Sequence, residues 1–247
     1  MKKIIYLLLL TSQMIFAQNG FDAGNTLYKT GNYNDAILEY EAVIDANKQS
    51  SELYFNLANC YFKLNKVAPA IYNYEKALLL NPDNIEAQNN LQIAQKLQVD
   101  DIKVIKKVGF AKLLQNLTTI YHYDLWAWIA VYLAGLFLIF FLGYYFFSKT
   151  ILKRMFFTLM CISFLSILIS VFCAIFQKNQ LKNDKPAIIF AEETALKKEP
   201  KSISKDIFLL HEGSKVFILD TKDNYKKVQL TDGTVGWIKT NDIKNLK

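Results

Sequence analysis

Three hydrophobic patterns succeed one another along the 247 residues of this chain. The first, over residues 18–98, reads as a series of amphipathic helices. The second is a pair of uncharged apolar stretches, Trp126–Phe147 and Met155–Phe176, each 22 residues long. The third begins near Ala187, where short apolar runs alternate with turn signals: Ala187–Phe190, Ile207–Leu210, Val216–Leu219, Val228–Leu230 and Gly236–Ile238. Helical spacing, unbroken apolarity and period-two alternation predict three different architectures in one chain.

The central stretches are each long enough to cross a hydrocarbon core of about 30 Å as a helix. Only Ser148–Arg154 separates them, which forces an antiparallel hairpin and puts both flanks on one side of a membrane. The turn carries Lys149, Lys153 and Arg154 and no acid; positive residues in short loops mark the cytoplasmic face. The N-terminus agrees. Lys2 and Lys3, an apolar run over Ile4–Leu10 and the small Ala17 have the layout of a signal peptide cleaved after Ala17, although an uncleaved third anchor fits the same residues. Neither span contains a charged side chain, which argues against ion or proton transport. Ser163, Ser166, Ser170 and Cys173 share one helix face, and Ala127, Ala130 and Ala134 another. Small residues permit close packing in lipid. The hairpin reads as an anchor.

Aligned with itself, the N-terminal region shows an offset of 34 residues. Leu27 matches Tyr61, Ala36 matches Ala70, Ile37 matches Ile71, Tyr40 matches Tyr74 and Glu41 matches Glu75. Gly24, Ala36, Ala58 and Ala70 are small enough for paired helices to approach, and Tyr40, Tyr61 and Tyr74 fill the space beside them. Pro82 stops the second hairpin. This period and composition resemble the tetratricopeptide repeat. Repeat two also has Tyr54 and Leu57 in the expected places. Repeat one departs, with Gly20 at the large aromatic position and Lys48 at the terminal proline. Ile85–Leu97 is a further amphipathic helix, suited to cap the last apolar face.

The resemblance implies a peptide groove along the face formed by the first helices, with Phe21, Asn25, Tyr28, Lys29, Phe55, Asn56, Asn59, Phe62 and Lys63 at the matching positions. Some family members clamp a C-terminal carboxylate there. Asn25 and Asn56 match two clamp positions, but Phe21, Glu86 and Asn90 stand where cations are required, so the groove is not expected to be a carboxylate clamp. Aromatics and amides suit an extended or helical segment of another protein. Asn25 and Asn59 equally fit hydrogen bonds between hairpins.

Over 99–125 a basic amphipathic stretch (Lys103, Lys106, Lys107 and Lys112 among Ile102, Ile105, Leu113, Leu114 and Leu117) runs into Tyr121, Tyr123, Trp126 and Trp128. It reads as an interfacial helix leading into an aromatic belt, or as a solvated connector. At the far end, Thr231–Thr234 contains the hairpin pair Asp232-Gly233, and His211–Ser214 and Thr221–Asn224 mark further turns. Five strands closing into a barrel are expected. Gly213–Asp220, Tyr225–Leu230 and Asp232–Ile238, with its Gly-Trp-Ile ending, resemble a bacterial SH3 domain. That resemblance implies peptide or peptidoglycan binding without catalysis, with Tyr225 and Trp237 as candidate ligand contacts, unless Trp237 belongs to the core.

Charge and cysteine content narrow the function classes. The net charge of +7 divides into +2 at the N-terminus, −2 over 18–125, +3 in the turn and +4 over 177–247, so no segment has the concentrated basic face of a nucleic-acid binder. Three cysteines and two histidines form no disulfide framework and no cluster with metal-ligand spacing. No nucleophile–base set is visible, so an enzyme is not expected and no cofactor is called for.

The expected organisation is a signal peptide (1–17), a tetratricopeptide array with capping helix (18–98), a juxtamembrane segment (99–125), two spans (126–147 and 155–176) about a cytoplasmic turn (148–154), a linker (177–185) and an SH3 domain (186–247). In this order the parts resemble the E member of the aerotolerance (Bat) operon family. The resemblance implies a scaffold of the bacterial inner membrane, with both flanking domains periplasmic, that assembles with other Bat membrane proteins, some bearing von Willebrand A domains. A role in oxygen tolerance is likewise an implication. The competing reading is a peptidoglycan binder or sensor acting through the SH3 domain.

Overall fold

The computed structural model describes residues 20–102 and 109–247. The signal peptide expected over 1–17 lies outside the described residues, as does the 103–108 part of the juxtamembrane segment. The described residues fall into two compact units, one combining those up to 102 with Lys185–Lys247 and the other running from 109 to Asp184.

In the first unit, α1 (20–29), α2 (Tyr33–Asp45), α3 (Ser51–Lys63), α4 (Val67–Leu80) and α5 (Ile85–Gln95) follow in order. Their boundaries repeat with the 34-residue period. Gly31 and Asn65, one period apart, both take positive φ (82° and 56°) in the turns after α1 and α3, the left-handed conformation that ends helices. Ser50 and Asn84, again one period apart, cap α3 and α5 by accepting from Leu53 N (3.1 Å) and Ala87 N (2.9 Å), each satisfying an orphan amide of the first turn. Small residues set the helix spacing. Ala36, Ala58, Ala70 and Ala77 are completely buried, and a Cβ on Gly24 would lie 2.5 Å from the Tyr40 ring.

The C-terminal strands are β1 (Pro186–Ile189), β2 (Glu193–Lys197), β3 (Asp206–His211), β4 (Lys215–Lys222), β5 (Tyr225–Leu230), β6 (Val235–Lys239) and β7 (Ile243–Asn245). They form one antiparallel sheet in the order β3-β2-β6-β5-β4-β1-β7. Seven strands replace the expected five. β2 was hidden because only Thr194 and Leu196 point inward between Glu193, Ala195 and Lys197, and β7 is three residues long. The Asp-Gly hairpin appears as read, with Gly233 at φ 83° joining β5 to β6. Ala187, Ile189, Leu196, Leu210, Val216, Val228 and Ile238 fill the sheet's own core.

Helices and sheet share a second core. Ile188 and Leu246 are buried with Ala70, Ile71, Tyr74 and Leu91, and Phe190 packs edge-on to Tyr72 at 5.5 Å. Polar contacts fasten the same seam. Lys215 Nζ reaches both Glu75 oxygens (2.7 and 2.8 Å), and Tyr72 OH donates to Asn245 O (3.1 Å). Gln98 Nε2 donates to Gly213 O, and the Asp100 carboxylate accepts from His211 N and Ser214 Oγ (both 2.7 Å) while its other oxygen lies 2.7 Å from His211 Nδ1. Burial alone would raise the Asp100 carboxyl, but these donors outweigh it and hold the group below its ordinary range.

The second unit contains α6 (Phe110–Thr118), α7 (Tyr123–Phe146) and α8 (Thr150–Asn183). α7 and α8 form an antiparallel hairpin. Gly143 lets the Phe156 ring approach, Phe137 meets Phe164 at 6.3 Å, and Ser163 Oγ donates to Leu133 O at 2.9 Å. Ser163, Ser170 and Cys173 are buried on that seam, while Leu138, Ile139, Leu165 and Leu168 are exposed. A surface apolar outside and small within is the reverse of a water-soluble pair, and both helices are long and apolar enough to cross a membrane. The break between them shrinks to Phe147–Lys149, so Lys153 and Arg154 sit in the first turns of α8. Residues 177–183, read as linker, instead continue α8 to Asn183. Nothing in Gln-Lys-Asn-Gln-Leu-Lys-Asn breaks a helix, and adding residues to an existing helix is easy. Pro186 then disfavours helical backbone at Lys185.

Candidate functional site

The first helices of the hairpins, α1, α3 and α5, line a cavity of about 240 Å³ bounded by Tyr28, Asn59, Phe62, Lys63, Asn90 and Ile93. No strand residue lines it, because the sheet packs on α4. Two identical hydrogen-bond triads support this face. Tyr40 OH and Asn56 Nδ2 both donate to Asn25 Oδ1 (2.8 and 2.9 Å). One period later, Tyr74 OH and Asn90 Nδ2 both donate to Asn59 Oδ1 (2.6 and 2.9 Å). Both tyrosines are completely buried, and that burial pushes their phenols above the ordinary range, so each remains a protonated donor.

The triads fix which hydrogen-bonding groups these asparagines have left. Both lone-pair regions of each Asn25 and Asn59 oxygen are occupied from within the protein, leaving these side chains only N–H groups to offer. Lys29 and Lys63, both exposed, add donors. The face thus presents amide and ammonium donors beside aromatic rings.

The expected groove residues divide between this face and the packing behind it. Tyr28, Asn59, Phe62 and Lys63 come together around the cavity. Phe21 packs on Tyr40 (5.9 Å between centroids) and Phe55 on Tyr74 (6.1 Å), which makes both partly core. Asn25 and Asn56 bond each other, and Lys29 stands exposed at the end of α1. Asn90 and Ile93 were missing from the expected set. The signal that finds them is the period itself, since they lie 34 residues after Asn56 and Asn59.

A second cavity of about 260 Å³ lies on the opposite side of α3, between the helices and the sheet, and includes Glu41, Tyr54, Tyr61, Tyr72, Lys76, Phe190 and Lys244. Tyr61 OH donates to Glu41 Oε1 at 2.5 Å. The Lys76 and Lys244 ammoniums lie 5.8 and 4.7 Å from the Tyr72 ring centre; burial, and then Lys244, lowers the Lys76 pKa. In the sheet, Tyr225 is buried and its hydroxyl lies 3.3 Å from that of Ser202. Trp237 is half-buried on the outer face of β6, paired in register with Lys197 and Lys227, while Ile238 supplies the core.

Comparison with known proteins finds repeats in the N-terminal helices. Family models described as "Tetratricopeptide repeat" and "TPR repeat" match residues 51–84 and 24–65. Mouse sperm-associated antigen 1 is 37% identical over 75 residues, covering 30% of this chain and 8% of that protein. Rat dynein axonemal assembly factor 4 is 42% identical over 71 residues, covering 27% of this chain and 17% of that protein. The chain thus spans less than a fifth of these relatives. A solved structure, the first TPR of Spaghetti (RPAP3) bound to an HSP90 peptide, is 27% identical, covering 33% of this chain and 91% of that one at a TM-score of 0.24. The chain contains tetratricopeptide repeats, and these point to a protein–protein interaction scaffold, a class that is typically non-enzymatic.

Proposed function

We propose that this chain is a membrane-anchored scaffold that grips a segment of another protein in the α1–α3–α5 groove. The observation that carries the reading is the pair of Tyr–Asn–Asn triads, which occupy the Asn25 and Asn59 oxygens from within the protein and repeat along the face that α1, α3 and α5 present. The α7–α8 hairpin is the anchor, crossing the bacterial inner membrane twice with its short basic turn in the cytoplasm, so that repeats and sheet both face the periplasm. Its partners are other membrane or periplasmic proteins in a Bat-type assembly.

The test is recovery of native complexes from membranes with the intact chain and with the groove variant Tyr28→Ala/Phe62→Ala. Partners held by the wild type and lost by the variant support the reading. Recovery of the same partners by both proteins would sink it.

Trp237 favours a second reading, since it is held on the outer face of the sheet between lysines. In that reading the sheet is an SH3-like barrel that binds peptidoglycan. Co-sedimentation of the full chain in detergent with purified peptidoglycan, abolished by Trp237→Ala, is the expected result; absence of co-sedimentation eliminates it.

A further inference from the structure

The free edge of the sheet carries an apolar surface that no core uses. β3 ends the strand order and, among the described residues, pairs with β2 alone. Ile207, Phe208 and Leu209 are 46%, 49% and 44% exposed, and Ile203, in the 198–205 turn that leads into β3, is 100% exposed. Internal bonds order that turn: Lys198 N donates to Lys205 O (3.1 Å), Glu199 N to Ser204 Oγ (2.9 Å) and Ser204 N to Lys201 O (3.1 Å). The isoleucine is thus held out by structure. Four lysines surround it. Lys197 pairs with Asp206 and Lys201 with Glu199, whereas Lys198 and Lys205 form no ion pair among the described residues.

An apolar tip in a basic collar matches an anionic lipid surface, where side chains insert between acyl chains while ammoniums meet headgroup phosphates. We propose that the 198–209 edge rests on anionic headgroups of the leaflet it faces, as a second membrane contact. This inference rests on the anchored reading of the α7–α8 hairpin. Charge favours lipid as the occupant: Lys198 and Lys205 are exposed beside the apolar tip and pair with no acid among the described residues, which leaves their ammoniums for headgroup phosphates. A second copy of the chain fits less well, because a two-fold axis at this edge would bring like-charged lysine collars together.

The full chain tests this after replacement of Cys60, Cys161 and Cys173 by alanine and reconstitution into phosphatidylcholine–phosphatidylglycerol vesicles. A bimane label is placed singly at Ile203→Cys, at Ile139→Cys within α7, or at the exposed Asp35→Cys in α2. With brominated acyl chains, emission from positions 203 and 139 should fall while that from 35 is unchanged. Lys198→Glu/Lys205→Glu should restore much of the emission at 203. A label at 203 that is unquenched, whether water-exposed or blue-shifted by a protein partner, overturns the inference, as does equal quenching at 35 and 203. Quenching at 139 without quenching at 203 discards this contact alone, whereas no quenching at either discards the anchored reading too.

Discussion

At the scale of single residues, the two triads behave as copies of one part. Tyr40 and Tyr74 are both buried, and each donates to an asparagine that also receives an amide from the following first helix. Tyr40→Phe and Tyr74→Phe should therefore cost similar amounts, about 1 kcal/mol each, because one net hydrogen bond is lost while the asparagine keeps its other donor. Denaturant titration of the full chain in detergent checks the equality. A steric prediction belongs beside it. A Cβ at Gly24 would lie 2.5 Å from the Tyr40 ring, so Gly24→Ala should destabilise by roughly 1–3 kcal/mol through overpacking, seen as a lowered denaturation midpoint. An unchanged midpoint would mean that α1 can shift to make room. Gly24 and Tyr40 were legible as a small–large pair from the period; that Asn25 bonds to Asn56 was one of two open readings, and only the side-chain directions distinguish them.

At the scale of elements, the connection following α5 fastens helices to sheet. Asp100 accepts from His211 N and Ser214 Oγ, residues more than a hundred positions away, with a side chain only 5% exposed. Its carboxyl is held below the ordinary value of 3.8. The unfolded chain therefore takes up the proton at higher pH than the folded one. The stabilisation is complete above that ordinary value and is lost as pH falls through the folded value. Urea midpoints should drop as the pH is lowered below about 4, and Asp100→Asn should be less stable at neutral pH with a flatter acid limb. Parallel curves for the two proteins would count against the assignment. No sequence pattern marks Asp100: it sits in a polar stretch with Asp101 beside it, and only the folded sheet brings donors to one and not the other. The missed strand β2 has a similar cause, since two inward side chains are too few to establish a period.

At the scale of the whole molecule, the apolar α7–α8 hairpin divides the chain into flanks that meet in one folded unit. Ile188 and Leu246 complete the core begun by Ala70, Ile71 and Leu91. In the anchored reading both flanks are exported. A membrane-impermeant thiol reagent applied to intact cells, whose outer membrane is permeabilised, should label Lys239→Cys and not Lys149→Cys in a chain lacking its own cysteines. The reverse pattern would place repeats and sheet in the cytoplasm. Breaking the seam should also act on both flanks. Lys215→Glu puts like charges at the 2.7 Å contact with Glu75, and added Glu75→Lys should recover part of the loss, read as protease sensitivity of the intact chain.

Periodic information was sufficient for much of this protein. The 34-residue repeat, the two apolar stretches and the alternating C-terminal runs announced helical hairpins, a pair of long apolar helices and an antiparallel sheet, because helix and strand geometry are local and recur at fixed steps. Tyr28, Asn59, Phe62 and Lys63, at matching positions of the repeats, line one cavity. The join between repeats and sheet was decided only by tertiary structure. It depends on the shape of α4 against β1 and β7, on a buried carboxylate finding three donors, and on which faces were left over for Trp237 and Ile203. Such matches join residues far apart in sequence, and packing at crystal-like density selects them by three-dimensional complementarity that no periodicity records.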